Sequence, residues 1–163
     1  MKIQRTSVKL AEKVSRIQTE CTIQKNGIFQ SITVIVDTGC MNTLIDTKIA
    51  SSYGEKLPEK WSCNIGGRQV LTQAYYLDTL RFNTLSIKDI LVFAADFTET
   101  EWKNGMLLGL NIMNNWNYTI NKNNGTMIIS EDIFNKIPDK QYAYMHWLKN
   151  GEYVKMQQEL IRT

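Results

Sequence analysis

The amino-acid sequence predicts a mostly β protein, a barrel or a sandwich built from about seven or eight short strands at close spacing. Three observations carry that expectation. Short runs rich in Val, Ile, Leu, Thr and Tyr recur along the chain, and they are separated by turn chemistry at Lys25-Asn26-Gly27, Asp37-Thr38-Gly39, Ile65-Gly66-Gly67 and Asn121 to Gly125. The length of 163 residues with 43% hydrophobic content suits one domain with an adequate core and room for a terminal appendage. Neither an internal repeat nor a low-complexity segment breaks the chain.

Residues before Ser15 are ambiguous, because Val8, Leu10, Ala11 and Val14 suit either a short helix or an edge strand. Ser15 to Ile23 alternates Ile17, Cys21 and Ile23 with polar residues in a rough period of two, and Ile28 to Val36 returns as its hairpin partner. Thr43-Leu44-Ile45 reads as a further short strand. Asp46 is placed to cap a helical turn through Lys48 to Tyr53, ended by Gly54. Glu55 to Lys60, with Pro58, reads as a connection, and Ser62 to Gln73 as a hairpin around the two glycines. Ala74 to Phe82, Leu85 to Ile87 and Ile90 to Ala94 are three more strands. The apolar run Met106 to Met113 passes into a short helix ending near Trp116, and Asn117–Ile120 and Thr126–Ser130 make a last hairpin. Residues 131–163 are the least readable: Pro138 followed by Asp139 to Lys149 suits a helix, Lys149-Asn150-Gly151-Glu152 suits a hairpin turn, and the polar end favours helix–turn–helix.

Composition excludes several classes. The 19 basic and 16 acidic residues leave a net charge of +3, too little for an electrostatic footprint on nucleic acid, and no Lys/Arg block reinforces it. No stretch approaches the 18 or so consecutive apolar residues of a membrane span, and residues 1–13 lack a secretory apolar core. Cys21, Cys40 and Cys63 have no CxxC spacing, and the single histidine, His146, does not complete an ordinary zinc site with them. The expectation is a cytoplasmic protein with reduced thiols, without metal or cofactor, and with neither nucleic acid nor membrane as a partner.

The chain is organised around Ser31 to Ile45, SITVIVDTGCMNTLI. Val34, Ile35 and Val36 favour a buried strand, and the turn at Thr38-Gly39 then delivers the carboxylate of Asp37 to the edge of a core. Asp-Thr-Gly followed by the glycine hairpin Ile65-Gly66-Gly67, the run Leu107-Leu108-Gly109, a short helix and a closing hairpin resembles, in that order, the retropepsin-like aspartic proteases. The resemblance covers roughly Ser15 to Ser130. It implies a closed, mostly β acid-protease barrel in which Asp37 is the catalytic carboxylate, Thr38 braces two catalytic loops against each other, and Gly39 lets its backbone approach the carboxylate. It further implies that Leu107, Leu108 and Gly109 form the apolar loop beneath Asp37, and that residues around Asn64 to Gln73, with Ile65, Gly66 and Gly67 at the end, form a flap over substrate. One departure stands out: Cys40 follows the triplet, where relatives usually carry Ala, Ser or Thr. The implied organisation is an N-terminal segment over 1–14, a protease domain over 15–130, and an appendage, helical by expectation, over 131–163.

Peptide hydrolysis without a metal or a covalent nucleophile needs a base to activate water and an acid to protonate the carbonyl oxygen or the leaving amine. Two carboxylates about 3 Å apart supply both, because they cannot both ionise and so share one proton. Only one Asp-Thr/Ser-Gly triplet exists here, since Asp46-Thr47-Lys48 and Asp78-Thr79-Leu80 lack the glycine. The second copy is therefore expected from a homodimer, giving an aspartic endopeptidase that takes an extended peptide or protein substrate. The alternative is a non-catalytic dimer that binds peptides in the same groove. A Cys40/His146 thiol pair is disfavoured by sequence separation, and Cys40 reads as a small packing residue sensitive to oxidation. Cys21 and Cys63 read as buried apolar side chains, His146 as a structural histidine, and Trp102, Trp116, Trp147, Tyr75 and Tyr76 as core. Trp61, just before the flap, has the better claim to a subsite wall.

Overall fold

The structure, a computed structural model, describes residues 3–11, 16–114 and 116–132. The N-terminal ambiguity is settled as a strand, β1 (Ile3–Lys9). Thr6, Val8 and Leu10 are buried and alternate with exposed Arg5, Ser7 and Lys9, which is the period of a half-buried strand. A hairpin follows, β2 (Gln18–Lys25) and β3 (Ile28–Val36), in register from Lys25↔Ile28 to Gln18↔Ile35 around the Asn26-Gly27 turn. After the Asp37 loop come β4 (Leu44–Asp46) and α1 (Thr47–Tyr53), with Asp46 as the expected cap accepting from the Lys48 amide at 3.3 Å. The other oxygen of this buried carboxylate accepts from the Asn104 amide at 2.7 Å, so Asp46 ties α1 to the turn that precedes the apolar run.

Glu55 to Lys60 is not a connection. It is the first half of β5 (Gly54–Ile65), the edge strand of the larger sheet, and Pro58 falls where the register shifts between Lys56 and Lys60. A proline lacks the ladder N–H, and an edge-strand irregularity is where the sheet tolerates it. Gln73 spans the gap, its amide donating to the carbonyl oxygens of Leu57 and Glu59. Next come β6 (Arg68–Phe82) and β7 (Leu85–Ala95). The two strands expected over Leu85–Ile87 and Ile90–Ala94 are thus one: the ladder keeps its register from Leu80↔Ile87 to Leu77↔Ile90, past a local irregularity at Asp89, where φ is 52°.

The apolar run forms β8 (Gly105–Leu108) and one turn of helix, α2 (Leu110–Met113). The helix stops at Met113 rather than near Trp116, which instead opens β9 (Trp116–Asn121) before β10 (Thr126–Asp132). The expected helical appendage over 131–163 lies outside the described residues, apart from Glu131 and Asp132 at the end of β10.

Strand order in the larger sheet is β2-β3-β8-β4-β7-β6-β5, and β2 also pairs with β6 through Thr22↔Arg81, Ile23↔Leu80 and Gln24↔Thr79. That last pairing closes β2, β3, β8, β4, β7 and β6 into a barrel, leaving β5 and the distal part of β6 as a projecting hairpin. A separate sheet of order β1-β10-β9 is built from the N-terminal strand and the β9–β10 hairpin. The interior divides into two apolar clusters. One lies within the barrel and under β1 and β10, with Ile23, Val34, Leu80, Phe82 and Leu108. The other lies beneath the projecting hairpin, with Ile35, Leu44, Cys63, Phe93 and Leu107.

Candidate active site

Strand β8 sits between β3 and β4, parallel to β3 (Ile35↔Leu107, Val36↔Leu108) and antiparallel to β4 (Leu44↔Leu107). The loop from Asp37 to Thr43 must therefore cross over the end of β8 to join its neighbours. Apolar packing of β3 fixes where that loop starts. Asp37 emerges half-buried, its amide donating to the Leu108 carbonyl at 3.0 Å. The turn closes through the Cys40 amide, which donates to the Asp37 carbonyl at 3.2 Å, and the Gly39 amide donates to Asp37 Oδ1 at 3.0 Å. A side chain on Gly39 would begin 3.3 Å from that carboxylate oxygen, so the close approach expected of this glycine is present. Thr38 is exposed in this turn.

Gly109 lies directly under the crossing. A Cβ there would stand 2.6 Å from the Asn42 carbonyl carbon, and no rotamer relieves a clash with backbone. The loop is also laced to α2: the Leu110 amide donates to Cys40 O at 2.8 Å and the Asn111 amide to Met41 O at 3.0 Å. Thr43, fully buried, completes the join. Its amide and hydroxyl both donate to Asn111 Oδ1, at 2.8 and 2.7 Å, and its own hydroxyl oxygen accepts from the Gly109 amide at 3.0 Å. Asn111 Nδ2 reaches the Leu91 carbonyl at 2.8 Å, anchoring the assembly to β7. Thr43 and Asn111 were not singled out from sequence. The available signal was an amide side chain inside the apolar stretch Leu110-Asn111-Ile112-Met113, where a buried polar group demands partners.

The apolar run is split by its strand geometry. Leu107 packs in the cluster beneath the hairpin, whereas Leu108 faces the barrel interior and offers Asp37 its carbonyl. Across the cluster, the β5–β6 hairpin ends at Gly66-Gly67, both with positive φ (58° and 83°), as a two-residue turn of this hand requires. Asn64 Oδ1 accepts from the Gly67 amide at 2.9 Å and fixes the turn. Trp61, Cys63, Ile65 and Val70 of the hairpin join the same cluster as Leu107 and Cys40, and Trp61 meets Phe93 with ring centroids 5.2 Å apart. The structure thus brings Asp37, Thr38 and Gly39, the Leu107–Gly109 run and Ile65 to one end of the barrel. Trp102 packs against Phe97 in that cluster, and Trp116 against Phe82 in the other, as core residues.

Burial pushes the Cys40 thiol up to about 12, with the neighbouring negative charge of Asp37 adding to it, and the thiol donates to the Asn42 carbonyl at 2.8 Å. Burial likewise raises Cys63. A thiol held protonated beside a carboxylate is a poor nucleophile at neutral pH, which removes the support for Cys40 as the attacking group. His146 lies outside the described residues. The other two Asp-Thr pairs do structural work: Asp46 caps α1, and Asp78, exposed on β6, accepts from the Thr79 hydroxyl at 2.8 Å. Among the described residues no group of three or more His, Cys, Asp or Glu side chains is disposed to hold a metal ion, and no helix is long and apolar enough to cross a membrane.

Comparison with known proteins adds to this geometry. A family described as "Aspartyl protease" matches residues 19–112. In fold, the chain is similar to the crystal structure of a retropepsin-like aspartic protease from Rickettsia conorii, with 14% identity and a TM-score of 0.53 over 80% of this chain and 93% of that one. No curated protein matches it in sequence.

Proposed function

Since the chain belongs to the aspartyl protease family, we propose that it is an endopeptidase that hydrolyses peptide bonds with a water activated between Asp37 and the Asp37 of a second copy. The observation that carries this reading is a single Asp-Thr-Gly carboxylate, half-buried at the barrel end, with the other Asp-Thr pairs committed elsewhere. One carboxylate takes a proton from water as its oxygen attacks the scissile carbonyl carbon. The proton shared with the other carboxylate passes to the carbonyl oxygen, and protonation of the nitrogen then releases the amine. Within this reading the β5–β6 hairpin is the flap, with Ile65, Gly66 and Gly67 over the substrate, Leu107 and Gly109 support the catalytic loop, and Trp61 walls a subsite.

The dimer contact that best fits is strand β9. The outer edge of β1 is engaged, Asn83 Nδ2 donating to Ser7 O at 3.0 Å and Thr19 Oγ1 to Lys9 O at 2.6 Å. Strand β9 pairs with β10 on one side and, among the described residues, with no strand on the other, and it exposes Tyr118. An unpaired edge is a template for a second chain, and a twofold pairing of β9 with its mate makes one continuous sheet. Residues 15–130 hold the whole protease domain in this reading, with β1 as an added strand. The three free cysteines support a reducing compartment such as the cytoplasm.

The test is Asp37→Asn. The amide cannot share the proton, so hydrolysis of a peptide substrate is lost while the thermal unfolding midpoint stays near that of the unaltered chain. Retained turnover would sink the assignment. Tight binding of a hydroxyl-bearing peptide mimic of the tetrahedral intermediate, lost in Asp37→Asn, separates an enzyme from a dimer that only binds peptides.

A further inference from the structure

We propose that Cys40 and Cys63 form a reversible disulfide that ties the β5–β6 hairpin to the loop after Asp37 and shuts the groove between them. Cys40 lies in the loop that carries the carboxylate, and Cys63 lies on the hairpin strand opposite Val70. Cys63 is buried in the apolar cluster between those two elements, and Cys40, half-buried, packs against the same cluster with Trp61, Ile65 and Val70. Cys21, the remaining thiol, is buried in the other cluster and faces neither. Cys63 is close enough to Cys40 to add to the rise of its thiol, after burial and the Asp37 charge.

The chemistry requires an oxidant, and a hydroperoxide supplies it. Burial raises both thiols, but at Cys40 the Asp37 charge adds to it, so the Cys63 thiolate makes the first attack on the peroxide oxygen. With hydrogen peroxide, this cleaves the O–O bond and leaves a Cys63 sulfenic acid and one water. The Cys40 thiol gives its proton to the departing hydroxyl as its sulfur attacks the Cys63 sulfur, so the S–O bond breaks and a second water leaves. Two thiols have lost two electrons and two protons, and the peroxide has been reduced to two waters. A dithiol reductant reverses the bond by exchange. Closing it requires Cβ atoms about 3.5–4.5 Å apart, and at the hairpin tip, where a Cβ on Gly66 or Gly67 would meet no atom within 4 Å, there is room for the hairpin to adjust. Because burial keeps both thiols protonated while the hairpin is down, a ligand that holds it down slows the oxidation.

The experiment uses the full chain, treated with hydrogen peroxide, blocked with an alkylating agent and digested without reduction. The expected product is a peptide pair linked through Cys40 and Cys63, lighter by two hydrogens than the sum of its parts and abolished in Cys63→Ala and Cys40→Ala. A bound peptide mimic should delay its appearance, and Cys21→Ser should leave it unchanged. Peroxide should stop turnover of the unaltered chain and a dithiol should restore it, whereas Cys63→Ala should keep its own activity through the same treatment. Overoxidised thiols without the linked pair, a link through Cys21, or links only between copies would overturn the proposal. So would a Cys63→Ala chain that peroxide inactivates equally. The activity arm rests on the Asp37 reading; were the reduced chain to show no turnover, that reading would fail while the peptide map still decided the disulfide.

Discussion

Gly109 and Asn42 are in backbone contact: a Cβ on Gly109 would lie 2.6 Å from the Asn42 carbonyl carbon and 2.7 Å from its oxygen. The contact exists because β8 lies between β3 and β4, forcing the loop that joins those two strands over its end. Gly109→Ala should therefore lift the loop that holds Asp37. Overpacking a tight site costs about 1–3 kcal/mol, so the denaturant midpoint should fall and turnover should fall further. Gly66→Ala, where a side chain meets open space, should lose only the smaller amount set by its φ of 58°. Equal effects at the two glycines would contradict this account.

In the proposed homodimer neither copy alone holds both carboxylates, so specific activity should drop on dilution. Mixing the unaltered chain with excess Asp37→Asn should poison activity through mixed dimers. A charged residue in place of exposed Tyr118, on the strand that among the described residues pairs on one side only, should lower the concentration-dependent mass seen by sedimentation. A monomer with full, concentration-independent turnover would refute the shared site.

The pH–rate profile should be a bell with its maximum at mildly acidic pH. Below it both carboxylates of the proposed dyad would carry protons and no base would remain; above it neither would and no acid would remain. A rate climbing steadily from about pH 5 to about pH 9 would instead indicate a thiolate of ordinary pKa, and Cys40→Ala would then abolish it.

Stability should decline at alkaline pH. The Cys40 thiol is raised from 9.0 to about 12 in the folded chain, by burial first and by the Asp37 charge second. Below pH 9 the thiol keeps its proton whether the chain is folded or not, and that contribution is constant. Above it the unfolded chain releases the proton while the folded chain retains it, so stability falls as pH rises toward 12. Thermal midpoints measured from pH 7 upward should bend down beyond about pH 9, and Cys40→Ala should lessen the bend, the remainder coming from Cys21, whose deeper burial raises its thiol further still.

Much of this protein was legible in its residues because the relevant physics is local. Val34-Ile35-Val36 is a buried strand by side-chain shape, Asn26-Gly27 and Gly66-Gly67 are turns by backbone freedom, and Asp46 caps α1 through a neighbouring amide. Each of these needs only residues adjacent in the chain. Glu55–Lys60 misled because Pro58 signals a break locally, whereas pairing with β6 on one side keeps the strand together around it. Leu85–Ala95 looked like two strands for the same reason, the long partner β6 carrying it past Asp89.

Tertiary structure alone decided the rest. The parallel register of β3 with β8, the crossing that only glycine permits at position 109, and the burial of Thr43 against Asn111 join residues about 65 to 75 positions apart. The edge of β9 that no other described strand pairs, and the packing of Cys40 and Cys63 about one cluster, are likewise products of strand order. Periodicity and turn chemistry fix which face of a strand is apolar and where the chain reverses; they carry no record of which strand lies beside it. That pairing depends on closing a long loop, an entropic cost repaid only when the distant surfaces pack together, and so it is written in the assembled core and not in any one stretch of sequence.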